Sequence, residues 1–370
     1  MRVIPTLQCR PGMRLGKAIY TEKGNVLLGF RYELNATVID RLHRMGIHYL
    51  YIDEPDTADI QIEDAIREET KMALYAALQN VLETVVNSSG KPSNVIGRHC
   101  SHAVAMLIED LNDQKTDSIT VLYPTITHEK AWADQWIRNA IQCSIYATKL
   151  GMLQELSRDE LSALSFGALL HDVGMLKLPS AILDKSGSLT RDEFEIIKTH
   201  TTVGYKLLKD EPGFPLLAAH CALFHHERLN GSGYPFGMNG GDIHPIARWV
   251  GLIDAYVAMT SPRGFRKAML PHEAMEMLYA GANIVYDLDK VEVFRNKVVT
   301  FPPGISVALS TGEIGVVSRV NQHNKQRPIV RVMRSQFGEL EKPYELDLSV
   351  CLNVMIDRVG VDDRSTVTMA

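Results

Sequence analysis

Histidines and aspartates form the most chemically pointed set in this chain: His171, Asp172, His200, His225, His226 and Asp254. His171-Asp172 follows the apolar run Phe166-Gly167-Ala168-Leu169-Leu170, so two strong ligand types stand at the end of a buried helix and not on a solvated face. His200 is expected to close the helix begun at Thr190, and His225-His226 closes the apolar-rich stretch Ala218 to Phe224. Asp254 falls within the helical run Ala247 to Thr260. All offer nitrogen or oxygen donors to a divalent transition metal. Two neighbouring cations need a carboxylate that can bridge them and neutral imidazoles that hold them without excess negative charge. Asp172 is the candidate bridge and the candidate catalytic residue. Cations about 3.5–4 Å apart stabilise both the attacking and the leaving oxygens of an in-line phosphoryl displacement. That is hydrolysis without a covalent intermediate.

Each member alone has a plainer reading. With thirteen histidines in the chain, an HD pair arises about once by chance. A helix-terminal His200 could simply answer the helix macrodipole. Adjacent His225 and His226 point in different directions on a helix, so one can ligate while the other packs. A lone Asp254 would be a hydrogen-bonded structural carboxylate. The order of the whole set is what carries information.

The elements around these residues divide the chain into stretches. Residues 1–55 mix short alternating segments with a helical pattern at Ala36 to Leu42 and a strand at His48 to Ile52, a small α+β domain. Residues 56–125 read as a helical connector, interrupted by a turn at Asn87-Ser88-Ser89-Gly90-Lys91-Pro92. Residues 126–293 are almost entirely helical, with capping boxes at Ser157-Arg158-Asp159-Glu160 and Thr190-Arg191-Asp192-Glu193. Residues 294–358 turn to Val- and Ile-rich runs, a small β-rich domain, and 359–370 form a polar tail. The fold class is mainly α, with small mixed and β-rich units at its flanks.

Composition narrows the functions. Hydrophobic residues at 45%, charged residues at 22% and a net charge of −5 describe a water-soluble globular protein without broad attraction to DNA or anionic lipid. No apolar run is long enough for membrane insertion. The five cysteines, Cys9, Cys100, Cys143, Cys221 and Cys351, are scattered without CxxC spacing and read as reduced thiols in a cytoplasmic chain.

The sequence resembles the HD-GYP phosphodiesterases, a subgroup of the HD superfamily that hydrolyses cyclic di-GMP in bacteria. The matching residues run in unbroken order: His171-Asp172-Val173-Gly174, Lys198-Thr199-His200, His225-His226-Glu227-Arg228, Asn230-Gly231-Ser232-Gly233-Tyr234-Pro235, Ala247-Arg248, Asp254, Ala258-Met259-Thr260 and Arg263. The resemblance implies an all-helical HD-type domain whose metal ligands are His171, Asp172, His200, His225, His226 and Asp254. It implies two divalent transition metals, Fe or Mn, with Mg, Ni or Zn as alternatives. It also places Tyr234, Arg263 and Arg266 around the substrate. The implied reaction opens cyclic di-GMP to pGpG, and onward to GMP. A homodimer or a signalling protein partner is compatible with it.

Three departures qualify the resemblance. Met175 stands where the family has a lysine, and Lys177 is the nearest cation. Trp136 stands where a metal-binding histidine is expected, preceded by Trp132, and an indole offers a metal no lone pair. Val257 replaces an aspartate of the last helix. His128 and Glu129 sit too early in the pattern to be assigned. These losses motivate an alternative function, a catalytically degraded relative serving as nucleotide sensor or protein-interaction scaffold. A phosphohydrolase acting on another nucleotide is a third reading.

Overall fold

The computed structural model describes residues 1–21, 25–87, 95–114, 118–120, 131–185, 187–261 and 269–360. The turn expected at Asn87 to Pro92 lies mostly outside them, and Arg263, Arg266, His128 and Glu129 lie wholly outside. The described chain forms two compact units, one built from both ends of the sequence and one from its middle. Among the described residues, no helix is long and apolar enough to cross a membrane.

In the first unit, strands β1 (Arg2–Pro5), β2 (Arg14–Leu15), β3 (Ile19–Tyr20) and β4 (Val26–Leu28) precede helix α1 (Ala36–Arg44) and strand β5 (Tyr49–Asp53). Asn35 caps α1 by accepting the Val38 amide, as a short side-chain acceptor before an apolar-periodic run should. β5 lies between β1 and β2, antiparallel to both, with Val3 opposite Tyr51 and Leu15 opposite Ile52. Strands β6 (Ser306–Leu309), β7 (Ile314–Arg319), β8 (Ile329–Ser335), β9 (Gly338–Asp347) and β10 (Ile356–Val359) make a five-stranded sheet in the order β10-β6-β7-β8-β9. The β-branched runs supply β6, β7 and β8, and Val307, Val316, Val317, Val330 and Val332 from them enter one core. That core also takes Val3, Tyr51, Ile60 and Ile62 from the amino-terminal segment.

The second unit is helical: α2 (Glu68–Asn87), α3 (Ile96–Asp113), α4 (Ala131–Leu153), α5 (Arg158–Leu170), α6 (Ser180–Leu183), α7 (Arg191–Lys198), α8 (His200–Leu208), α9 (Leu216–Phe224), α10 (Pro245–Thr260), α11 (Pro271–Ala280) and α12 (Leu288–Lys297). The mainly helical fold class is met, and both expected capping boxes form at the starts of α5 and α7. α4, α5, α9 and α10 pack on one another as the centre of this unit. Every residue of α5 from Ala163 to Leu170 is buried, which fits a helix end that is apolar all round. Fully burying a leucine such as Leu164, Leu169 or Leu170 contributes about 1.5–3 kcal/mol, so the end of α5 is firmly anchored. The residues immediately beyond it inherit that fixed position.

Candidate metal centre

Helix ends deliver most of the ligand-type side chains. His171 is the carboxy-terminal cap of α5, and Asp172 leads into a tight helical turn over Val173–Lys177. His225 caps α9, with His226 next in the chain. His200 differs from expectation: the helix begun at Thr190 stops at Lys198, and His200 opens the next one after a break at Thr199. Its burial at a helix start removes the macrodipole reading, which requires a helix carboxy terminus. Asp254 projects from the middle of α10, where it is buried.

Three imidazoles are oriented in the same way. His171 Nδ1 lies 2.8 Å from the Ala168 carbonyl, and His200 Nδ1 lies 2.7 Å from that of Ile197. His225 Nδ1 lies 3.0 Å from the Cys221 carbonyl and 3.1 Å from that of Ala222. A carbonyl only accepts, so each Nδ1 carries a proton that it donates, and in the neutral ring Nε2 is left as a lone pair. The Nε2 atoms of His200 and His225 then meet at 3.3 Å. Both face Asp172 Oδ1, at 3.2 Å and 3.5 Å. Lone pairs and a carboxylate oxygen crowded together repel one another unless positive charge sits among them.

Asp172 presents its second oxygen to a different neighbour. Oδ2 lies 3.5 Å from His171 Nε2, which is also 3.4 Å from Asp254 Oδ1. His171 Nε2 and Asp172 Oδ1 are buried and lack a hydrogen-bond partner, the state expected of atoms that serve a cation. Donor atoms of Asp172, His200, His225 and His226 lie within 4.8 Å of one another, and so do those of Cys143, His171 and Asp254. The six residues singled out in the sequence are thus brought together, and their donor chemistry fits divalent metal ions.

Electrostatics agree with that fit. Burial disfavours an imidazolium at His171, but Asp172 and Asp254 outweigh it and push its pKa up to about 9. Burial would raise the Asp172 and Asp254 carboxyls, yet the surrounding imidazoles, His171 foremost, hold both below the usual carboxylate range. Burial lowers His225 and lowers His226 further, so both are neutral at pH 7. Neutral imidazoles and ionised carboxylates are the forms that bind metal, so a cation beside His171 has to displace the proton that its raised pKa retains.

The departures occupy definite places. Trp136, in α4, donates its indole Nε1–H to the Asp172 carbonyl at 3.1 Å, so it holds the backbone of the central carboxylate. Met175 lies in the turn after Asp172 and donates its amide to the same carbonyl at 3.0 Å. Val257 is fully buried in α10. Tyr234 stacks on His226 with ring centroids 4.6 Å apart and an interplanar angle of 29°.

Other residues shape the centre without having been assigned a role from sequence. Glu227 is buried and accepts the amides of Phe236 at 2.7 Å and Met238 at 2.9 Å, which clamps the loop that carries Tyr234. Arg228 donates to the His225 carbonyl at 2.8 Å and lies over the Tyr286 ring at 5.3 Å. Gly174 and Gly251 permit close backbone approach: a Cβ would stand 1.9 Å from the His200 carbonyl oxygen at the first and 2.3 Å from that of His225 at the second. Cys143 was read only as a reduced thiol. A buried cysteine in mid-helix gives no sequence signal beyond that of a small apolar residue.

The family model of the HD domain matches residues 81–289, more than half of the chain, and that of the KOW domain associated with HD domain matches residues 306–363. A cyclic di-GMP phosphodiesterase of Pseudomonas aeruginosa is 33% identical over 196 residues, covering 53% of this chain and 45% of that protein. A cyclic di-GMP phosphodiesterase response regulator of Xanthomonas campestris pv. campestris is 31% identical over 182 residues, 49% of this chain and 47% of its own. A cyclic di-GMP phosphodiesterase of Thermotoga maritima is 34% identical over 169 residues, 45% of this chain and 44% of its own. The match therefore spans a little under half the length of these relatives.

Proposed function

The chain belongs to the HD domain family, and from that premise we propose that it is a metal-dependent phosphodiesterase of the HD-GYP type that opens cyclic di-GMP to pGpG in bacterial second-messenger signalling, with GMP as a further product. The observation that carries this reading is the convergence of the His200 and His225 Nε2 lone pairs on Asp172 Oδ1, while Asp172 Oδ2 turns to His171. In this reading Asp172, His200, His225 and His226 would hold one divalent cation and His171 with Asp254 would hold a second, with Fe or Mn as the expected metals. Such a pair, when bound, supplies the Lewis acidity that activates water and neutralises charge on the phosphodiester.

The chain's own groups do the rest. The carbonyls of Ala168, Ile197, Cys221 and Ala222 engage Nδ1 of three imidazoles, which leaves Nε2 as the ligating nitrogen of each. Tyr234, held over His226 by the Glu227 clamp, offers an aromatic face and a phenol at the rim of the centre. That face would suit a nucleotide base or phosphate, a role the resemblance also gives Arg263 and Arg266. We assign residues 126–293 to the catalytic-type domain and the flanking residues 1–55 and 294–358 to regulatory ones. A cytoplasmic location suits a second-messenger substrate. Incubating Mn- or Fe-loaded protein with cyclic di-GMP should yield a linear product that disappears in Asp172→Asn. Absence of product from the loaded wild type overturns the reading.

Trp136 favours a second reading, because an indole occupies a place where the resemblance expects a ligand. A sensor that binds the cyclic dinucleotide without turning it over would show calorimetric binding unchanged in Asp172→Asn, together with no hydrolysis.

A further inference from the structure

We infer that Cys143 is a metal ligand of this chain, completing with His171 and Asp254 a thiolate-containing second cation position that stands in for the ligand lost at Trp136. This deepens the function proposed above and rests on it only for the presence of a neighbouring cation at Asp172. Cys143 Sγ, a ring nitrogen of His171 and a carboxylate oxygen of Asp254 lie within 4.8 Å of one another, and all three residues are buried. His171 Nε2 points into this space without a hydrogen-bond partner, although it is about 99% buried. The thiol is therefore not a lone feature. It faces a buried imidazole nitrogen without a hydrogen-bond partner and a carboxylate oxygen.

The geometry of α4 explains how the substitution of ligands works. Cys143 follows Trp136 by seven residues, two turns of helix, so both lie on nearly the same stripe of α4. The indole at the first position hydrogen-bonds the Asp172 carbonyl, and the sulfur at the second reaches the His171 and Asp254 side of the cluster. Coordination deprotonates the thiol and releases its proton to solvent. A soft thiolate biases the position towards zinc, cobalt or ferrous iron and against magnesium and calcium, which favour all-oxygen sites. The two cation positions of this chain should therefore differ in metal preference.

Titrating the full-length, chelator-stripped protein with cobalt(II) tests this. Cobalt analysis should approach about two equivalents, with a thiolate-to-cobalt charge-transfer band in the near ultraviolet. Cys143→Ser should lose the band and weaken one of the two equivalents by about 10–100-fold, the range seen when ligand support is damaged. Cys221→Ala should keep the band, because Cys221 lies outside both donor groups. Wild-type protein that binds two cobalt ions without the band, or only one without it, overturns the assignment even if Cys143→Ser fails to fold. Hydrolysis measured on the same samples separates the two ideas. Turnover without the band sinks the cysteine ligand and leaves the phosphodiesterase standing, whereas the band without turnover does the reverse.

Discussion

Asp172 is the residue on which the centre turns, because its two carboxylate oxygens face different imidazoles, Oδ1 towards His200 and His225 and Oδ2 towards His171. An amide in its place keeps the shape but loses the charge and one acceptor. Asp172→Asn is expected to lower cyclic di-GMP hydrolysis by more than about 100-fold and to reduce bound metal, since a shared ligand should matter more than the supporting groups whose loss costs 10–100-fold. Trp136→Phe removes only the indole donor to the Asp172 carbonyl and should cost roughly 1–2 kcal/mol in a denaturant titration, with weaker metal binding alongside. The pH behaviour of His171 follows from its raised pKa of about 9 against an ordinary 6.5. A folded-state pKa above the unfolded one gives stability that is complete below pH 6.5 and is lost as pH rises through 9. Chelator-treated wild type should thus lose thermal stability over that window relative to His171→Gln, and saturating cation, which replaces the proton, should flatten the difference. Equal slopes for the two proteins in chelator contradict this account. The set of six histidines and aspartates was legible in sequence from its order along the chain, and His171, His200 and His225 stand at helix ends. The approach of Cys143 to His171 and Asp254 was not legible, because it depends on which helices face α4.

At the level of elements, the centre depends on how closely α8, α9 and α10 approach the turn after Asp172. The Val173–Lys177 turn packs against α8, and the absent side chain of Gly174 is what lets the His200 carbonyl come near. Gly251 plays the same part between α10 and the end of α9. Gly251→Ala would set a methyl group 2.3 Å from the His225 carbonyl, well inside contact distance, so backbone must move. Overpacking of this kind costs about 1–3 kcal/mol, which for a unit of this size is roughly 2–12 °C in melting temperature. Metal affinity should fall with it, because His225 moves; an unchanged melt and unchanged metal titration would contradict the close approach. Helix starts were readable because a hydroxyl and a Glu three residues later, as at Ser157 and Thr190, satisfy backbone amides locally. The break at Thr199 was not readable, since Lys198-Thr199-His200 contains neither glycine nor proline to mark it. β9 escaped notice for another reason: its exposed run Glu341-Lys342-Pro343-Tyr344 alternates too weakly to announce a strand, and the partner β8 supplies the pairing.

Across the whole molecule, the first unit couples the two ends of the sequence. Val3, Tyr51, Ile60 and Ile62 share a buried cluster with Val307, Val316, Val317, Val330 and Val332, and an isolated parallel bridge joins Val3 to Ile305. Arg331 adds a bidentate pair to Asp59, with both nitrogen–oxygen distances at 2.7 Å. Periodicity identified strands in each end but carries no information about which distant strands share a core, since the pairing spans more than two hundred and seventy positions. The energetic consequence is direct. A segment of about sixty residues buries only about 60% of its unfolded surface even when it folds alone. Here part of its apolar face is completed by the other end of the chain. Ending the chain at Lys297 should therefore leave Val3, Tyr51, Ile60 and Ile62 without their partners, and limited proteolysis should cut within residues 1–64 far faster than in the intact protein. The central helices keep their own buried core of α4, α5, α9 and α10, so the shortened chain should still take up metal at Asp172. Protection of residues 1–64 equal to that of the full chain would show that the amino-terminal strands close a core by themselves and that the shared cluster contributes little to holding them.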